Sequence, residues 1–144
     1  MTTTASTAST ASTTSTTPEF AAAGLFLENL ATGDFDLLAA ALEPDAKLHA
    51  LLPRGFVAWE GQAEVCGAFT GFFGGMDEYD VIDASVGMVG DRLQLRWRLH
   101  VRGGRLGPED FVVEQFCYAD AGPTGRLQFL ALVCSGFRKQ PADG

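Results

Sequence analysis

The sequence is poor in positive charge, in histidine and in paired cysteine, and each shortage removes a class of function. Ten Lys and Arg stand against eighteen Asp and Glu, a formal net charge of −8. Nucleic-acid binding draws on clustered cations, so an acidic chain argues against it. No run of roughly 18 apolar residues occurs, which argues against a membrane-spanning helix. Three cysteines, Cys66, Cys117 and Cys134, form no close-spaced pair, and an odd count suits small buried thiols in a reduced compartment better than a disulfide framework. Two histidines with no cluster of Cys or carboxylate beside them give no metal site, and no cofactor is implied. No charged stretch followed by an apolar one opens the chain, so the expected location is the cytoplasm. Phe73-Gly74-Gly75 lacks the Lys-Ser or Lys-Thr of a phosphate loop, and Cys134-Ser135-Gly136 is no nucleophile elbow.

What is present predicts one folded domain. The chain has 144 residues, 47% of them hydrophobic, and a chain of this size buries roughly two-thirds of its unfolded surface. Residues 2–17 contain only Thr, Ser and Ala. Such a tract has too little apolar surface to offset the entropy of ordering it, which predicts a disordered tail over 1–17. The domain is expected over 18–139, with a second short disordered end over 140–144.

Thr17-Pro18-Glu19 opens a helix: Thr can cap, Pro fits the first helical position and Glu complements the dipole. Phe20, Ala23, Leu27 and Leu30 follow at helical spacing until Gly33. Asp34 is placed to cap a second helix over 35–43, ended by Pro44, and Lys47 to Leu52 reads as a short strand ended by Pro53. An irregular stretch is expected through Trp59 and Gly61. Val65, Ala68, Phe69, Phe72 and Phe73 then form the stripe of a core-facing third helix.

The second half reads as strands. Tyr79 to Val89 and Arg92 to Arg102 flank Gly90-Asp91, a favoured two-residue hairpin turn. Pairing across it sets Met88 against Leu93, Val86 against Leu95, Ala84 against Trp97 and Ile82 against Leu99, an apolar face. Asp83 then falls opposite Arg98 on a polar one. Arg92, Arg96, Arg98, Arg102 and Arg105 concentrate cations there, which reads as a solvated or dimer-rim face. Strands over 111–119 and 126–138 follow. The last is apolar on both faces, with Phe129 and Val133 on one and Leu130 and Leu132 on the other. Burial of both sides implies cover by a second subunit, hence a homodimer through the outer sheet face.

Helix, helix, strand, helix and four strands make an α+β arrangement in which a curved antiparallel sheet wraps helices packed at one end. With Ala31-Thr32-Gly33-Asp34, Glu43-Pro44-Asp45-Ala46, Glu60-Gly61-Gln62, Gly125-Arg126-Leu127 and the final Leu132-Val133-Cys134-Ser135-Gly136-Phe137, the chain resembles the nuclear transport factor 2-like superfamily over about residues 18–139. That superfamily includes ketosteroid isomerases and SnoaL-type polyketide cyclases. The resemblance implies a cone-shaped fold, three N-terminal helices on the sheet, and a small apolar ligand held in the cone without a cofactor.

The resemblance also assigns positions. Where the isomerases carry a helix Tyr this chain has Phe26, and their strand base falls on Ala50 or Leu52. His49, one residue away, is a candidate base near neutral pH, although strand alternation points it away from Ala50. The segment Glu114-Gln115-Phe116-Cys117-Tyr118 overlays the one bearing the oxyanion-hole acid, with Glu114 in its place. A carboxyl in an apolar cavity has a raised pKa and can move a proton. Two registers of its strand are open. One sets Glu114 against Arg96 on the polar face and turns Gln115 inward; a one-residue slip sets Glu114 against Trp97, facing the cone. Trp97 lies on the apolar face in both, and Phe26, Phe69 and Phe73 are the expected apolar lining. The expectation is a cofactor-independent isomerase or cyclase acting on an apolar oxygenated molecule. The alternative is a non-catalytic dimeric binding or assembly module.

Overall fold

A computed structural model describes residues 18–140, so the expected tail over 1–17 and residues 141–144 lie outside the described residues. Helix α1 spans Pro18–Thr32 and is followed by a 3-10 helix, Phe35–Ala41. Strands β1, Leu42–Leu52, and β2, Gly55–Glu60, precede helix α2, Gln62–Phe73. Then come β3, Glu78–Val89, and β4, Arg92–Arg102, a short 3-10 turn at Gly104–Leu106, β5, Asp110–Ala121, β6, Leu127–Cys134, and the two-residue β7, Arg138–Lys139. The main sheet runs β2-β1-β6-β5-β4-β3, with β7 on β5. Helices and one large curved sheet give the α+β class.

The sheet is mixed, which corrects the antiparallel expectation, because β1 and β6 pair in parallel. The second helix is the tighter 3-10 form, and it ends at Ala41 rather than running to residue 43. Pro44 therefore lies inside β1. It has no N–H to give the ladder, and the β1–β6 register shifts between Leu42 and Lys47, where it sits. The stretch expected to be irregular is instead strand β2, joined to β1 by the two-residue turn Pro53-Arg54. Its apolar residues fall on both faces, so it has no alternation to announce it.

The hairpin of β3 and β4 has the expected pairs from Met88↔Leu93 through Ala84↔Trp97 and Asp83↔Arg98. Beyond them a bulge sets Val81, not Ile82, opposite Leu99 and leaves Ile82 exposed. The inward residues of β4, Leu93, Leu95, Trp97, Leu99 and Val101, are all buried. On the edge strand β3 the same face is thinly covered, so Ala84 and Met88 remain exposed. Helix α2 buries Val65, Ala68, Phe69 and Phe73, the stripe expected of it. Gly61 enters it at a φ of 95°, a value that suits glycine, and donates its N–H to the Ala46 carbonyl at 2.7 Å.

Candidate functional site

Strand pairing aligns Cys134 in β6, Gln115 in β5 and Trp97 in β4 as one inward-pointing row across the sheet, and Leu52 of β1 follows the last β1–β6 pair, Leu51↔Val133, at the same level. At its inner end Trp97 is fully buried, with its ring centroid 5.7 Å from Phe26 and 6.2 Å from Phe69. Phe26 and Phe69 meet edge-on at 5.6 Å, and Phe73 lies 6.4 Å from Phe69. These four rings pack on one another and fill the space between α1, α2 and the sheet. Phe26, Phe69 and Phe73 are therefore core side chains, each 2% exposed or less. Phe73 also edges a smaller cavity of about 300 Å³ beside Tyr79, whose hydroxyl donates to the Leu30 carbonyl at 2.7 Å. Burial pushes that phenol well above its ordinary range.

The indole N–H of Trp97 donates to Gln115 Oε1 at 2.9 Å. Gln115 is 1% exposed, and its Nε2 has no hydrogen-bond partner. A buried amide with two unused donors is costly, since its desolvation is not repaid by a bond.

Glu114 faces the other way. The register of β5 lies one residue beyond the two considered from sequence, with Glu114 opposite Arg98 and Gln115 opposite Trp97. The carboxylate accepts from Arg98 at 2.8 Å and lies 4.0 Å from Arg96, which pairs with Asp83 at 3.0 Å. Of the two orientations left open, Glu114 takes the outer one, as a member of an ion-pair ladder. His49 is also on the outer face, between the rings of Phe56 at 5.4 Å and Phe129 at 4.9 Å.

The ladder continues along β4: Arg92 pairs with Asp120 at 2.9 Å, and Arg102 with Glu78 at 2.7 Å. His100 stands between Asp110 at 2.9 Å and Asp80 at 3.7 Å. Glu78, Asp80 and His100 come close enough to share an ion. Arg102 already supplies the positive charge in that group, bonding Glu78 directly.

A larger cleft, of about 600 Å³, opens at the outer end of the row. Leu52 and Cys134 line it, together with Val57 and Trp59 of β2, Gly67, Ala68, Gly71 and Phe72 of α2, and Phe137 after β6. Trp59 and Phe72 meet edge-on at 5.8 Å. Gly136 enters the cleft wall at a φ of 81°, where an added Cβ would sit 2.8 Å from Pro53 Cγ. Two charged side chains complete the lining, Arg54 and Arg105. Arg105 was expected with the cations of β4. The 3-10 turn at Gly104–Leu106 breaks strand alternation, and its guanidinium instead donates to the carbonyls of Gly71 at 3.1 Å and Phe72 at 3.2 Å and lies over the Phe137 ring at 5.2 Å.

Trp59, Phe72, Arg54 and Phe137 were not legible from sequence as site residues. The one available signal was Pro53-Arg54-Gly55, a turn sequence between two apolar runs, which joins β1 to β2 and so builds one wall of the cleft.

The molecule is an α+β domain with an aromatic cleft between the inner sheet face and α2. Residues 24–142 match the SnoaL-like domain family, and the chain belongs to that family. Solved structures share the fold at low identity. A "putative SnoaL-like polyketide cyclase" from Shewanella putrefaciens is 13% identical, with a TM-score of 0.64 over 83% of this chain and 91% of that one. An NTF2-like protein from Burkholderia xenovorans is 14% identical, with a TM-score of 0.62 over 84% and 92%. An LEH-like epoxide hydrolase of M. tuberculosis is 18% identical, with a TM-score of 0.59 over 82% and 83%. No curated protein matches the sequence. Among the described residues no helix is long and apolar enough to cross a membrane.

Proposed function

We propose that this SnoaL-like domain binds a small, largely apolar molecule in the cleft between β2 and α2, at the mouth of a cone-shaped fold. The observation that carries this reading is the cleft itself: about 600 Å³, walled by Trp59, Phe72 and Phe137. Pockets of a few hundred Å³ with apolar walls and few polar groups are the usual form of small-molecule sites. Gln115 stands next to Cys134 in the same inward row, one strand spacing behind the cleft wall, and its unused amide donors suit a ligand oxygen. An acid/base role for Glu114 is not part of this reading, because Arg98 and Arg96 hold its carboxylate on the opposite face. The binding function is accordingly read without proton transfer by Glu114.

The working unit is a homodimer in the cytoplasm, paired through the outer sheet face. Support comes from Leu51, Phe56 and Val133, which leave 52%, 63% and 52% of their surface exposed on that face.

A Cβ at Gly71 would meet nothing within 4 Å, so Gly71→Phe adds a ring at the cleft wall from a position with open space at its Cβ. A thermal-shift screen against aromatic polyketides and terpenoids is expected to yield stabilising ligands for the natural chain and none for Gly71→Phe. Equal shifts in both would place the site elsewhere, and a blank screen would remove the reading. Light scattering at micromolar concentration is expected to give the dimer mass; a monomer would remove the pairing.

A further inference from the structure

We propose that the cleft selects hydrophobic monocarboxylates, with Arg54 and Arg105 as the groups that hold the carboxylate. The inference rests on the cleft-binding reading and adds the charge and headgroup of the ligand to it.

The chain carries a net charge of −8, yet no Asp or Glu lines the cleft and both of its charged lining residues are arginines. Elsewhere five of the eight cations, Arg92, Arg96, Arg98, Arg102 and Lys139, each lie within 4.0 Å of a carboxylate, and Arg126 bonds the Leu42 carbonyl. Arg54, on the exposed turn between β1 and β2, has neither a carboxylate nor a hydrogen-bond partner among the described residues. Arg105 has two carbonyl bonds and a ring contact, which fix its position and leave further guanidinium donors for a ligand. Holding one cation in place lowers the ordering cost of binding. Two guanidinium groups against aromatic walls concentrate positive potential in an otherwise acidic molecule, and so attract anions to this cleft.

The kind of anion follows from what else lines the cleft. Guanidinium matches a planar carboxylate in a two-bond fork. The C-terminal turn of α2, with the Gly71 and Phe72 carbonyls, edges the same space and contributes the negative end of the helix dipole. That end opposes a phosphate dianion more than a single delocalised charge. The apolar walls take the rest of the ligand.

The test titrates the full chain by calorimetry with naphthoate and decanoate, each against its own methyl ester, and with decyl phosphate. The carboxylates are expected to bind about tenfold more tightly than the esters at low salt, a difference that salt narrows. Arg54→Met, which removes no hydrogen bond or ion pair among the described residues, should erase most of the preference, and Arg54→Lys should restore part of it. Acid and ester binding alike would overturn this inference and leave the cleft-binding reading standing. Tighter binding of decyl phosphate, or full preference retained in Arg54→Met, would also overturn it. Binding of none of these probes would take the inference and the cleft-binding reading down together.

Discussion

Trp97 and Gln115 are directly paired across β4 and β5, and the indole N–H donates to the Gln115 carbonyl oxygen at 2.9 Å in a region without solvent access. That bond fixes the orientation of the amide: its oxygen is committed to the tryptophan, so its NH2 is left over. A polar group in this state is either a cost carried by the fold or a donor awaiting an acceptor.

Gln115 substitutions separate the two. Gln115→Leu exchanges one unpaired donor, Nε2, for another, the indole N–H, and stability by urea titration is expected within about 1 kcal/mol of the natural chain. Ligand affinity in the cleft should fall. Gln115→Glu keeps the acceptor but buries a carboxyl, whose pKa rises on desolvation. A raised folded pKa means stability held at low pH and lost as pH climbs past the unfolded value near 4.3. Gln115→Glu is therefore expected to be closest to the natural chain at about pH 4 and several kcal/mol less stable at neutral pH.

Glu114→Gln tests the opposite face. Its ion pairs with Arg98 and Arg96 involve half-exposed side chains, and such pairs contribute about 1 kcal/mol or less. Unfolding titrations should show a change of that size, and ligand titrations in the cleft should show none. A large loss of affinity would mean that the carboxylate reaches the interior.

Phe26→Ala should cost about 3–5 kcal/mol in urea unfolding, because Phe26 is fully buried between Phe69 and Trp97. A cost under about 1 kcal/mol would show that the ring cluster is loosely packed and that ligand space exists there after all.

The three thiols should differ in reactivity and in their effect at high pH. Iodoacetamide is expected to label half-buried Cys134 on the folded chain, and buried Cys66 and Cys117 only on unfolding. Burial pushes the Cys117 thiol from its ordinary 9.0 up to about 12. The folded chain thus keeps a proton that the unfolded chain releases above about pH 9, so this contribution is intact below that pH and is lost as pH rises toward 12. Urea midpoints should fall across that range, and less steeply in Cys117→Ala.

Much of the fold follows from local pattern. The α2 stripe of Val65, Ala68, Phe69 and Phe73 and the turn at Gly90-Asp91 each depend on neighbours a few residues apart, so periodicity and turn chemistry determine them, along with the pairing of Trp97 and Arg98 to β3. Strand β2 was not legible, because an edge strand with Val57 and Trp59 inward and Phe56 outward shows no alternation.

The candidate site depended on registers that local sequence leaves open. Side chains alternate along a strand, so one residue of slip decides whether Glu114 or Gln115 points inward. The connection from β4 to β5 has no two-residue turn to fix it; the 3-10 turn after Gly103 and the pairing of β5 with both β4 and β6 set it instead. The same turn carries Arg105 off the cationic strand to the end of α2. Composition and periodicity by themselves determined an acidic α+β domain with an apolar inner sheet face. Only the tertiary structure decided which polar groups meet that face, because contacts between distant segments, not neighbours in sequence, choose among registers that are locally equivalent.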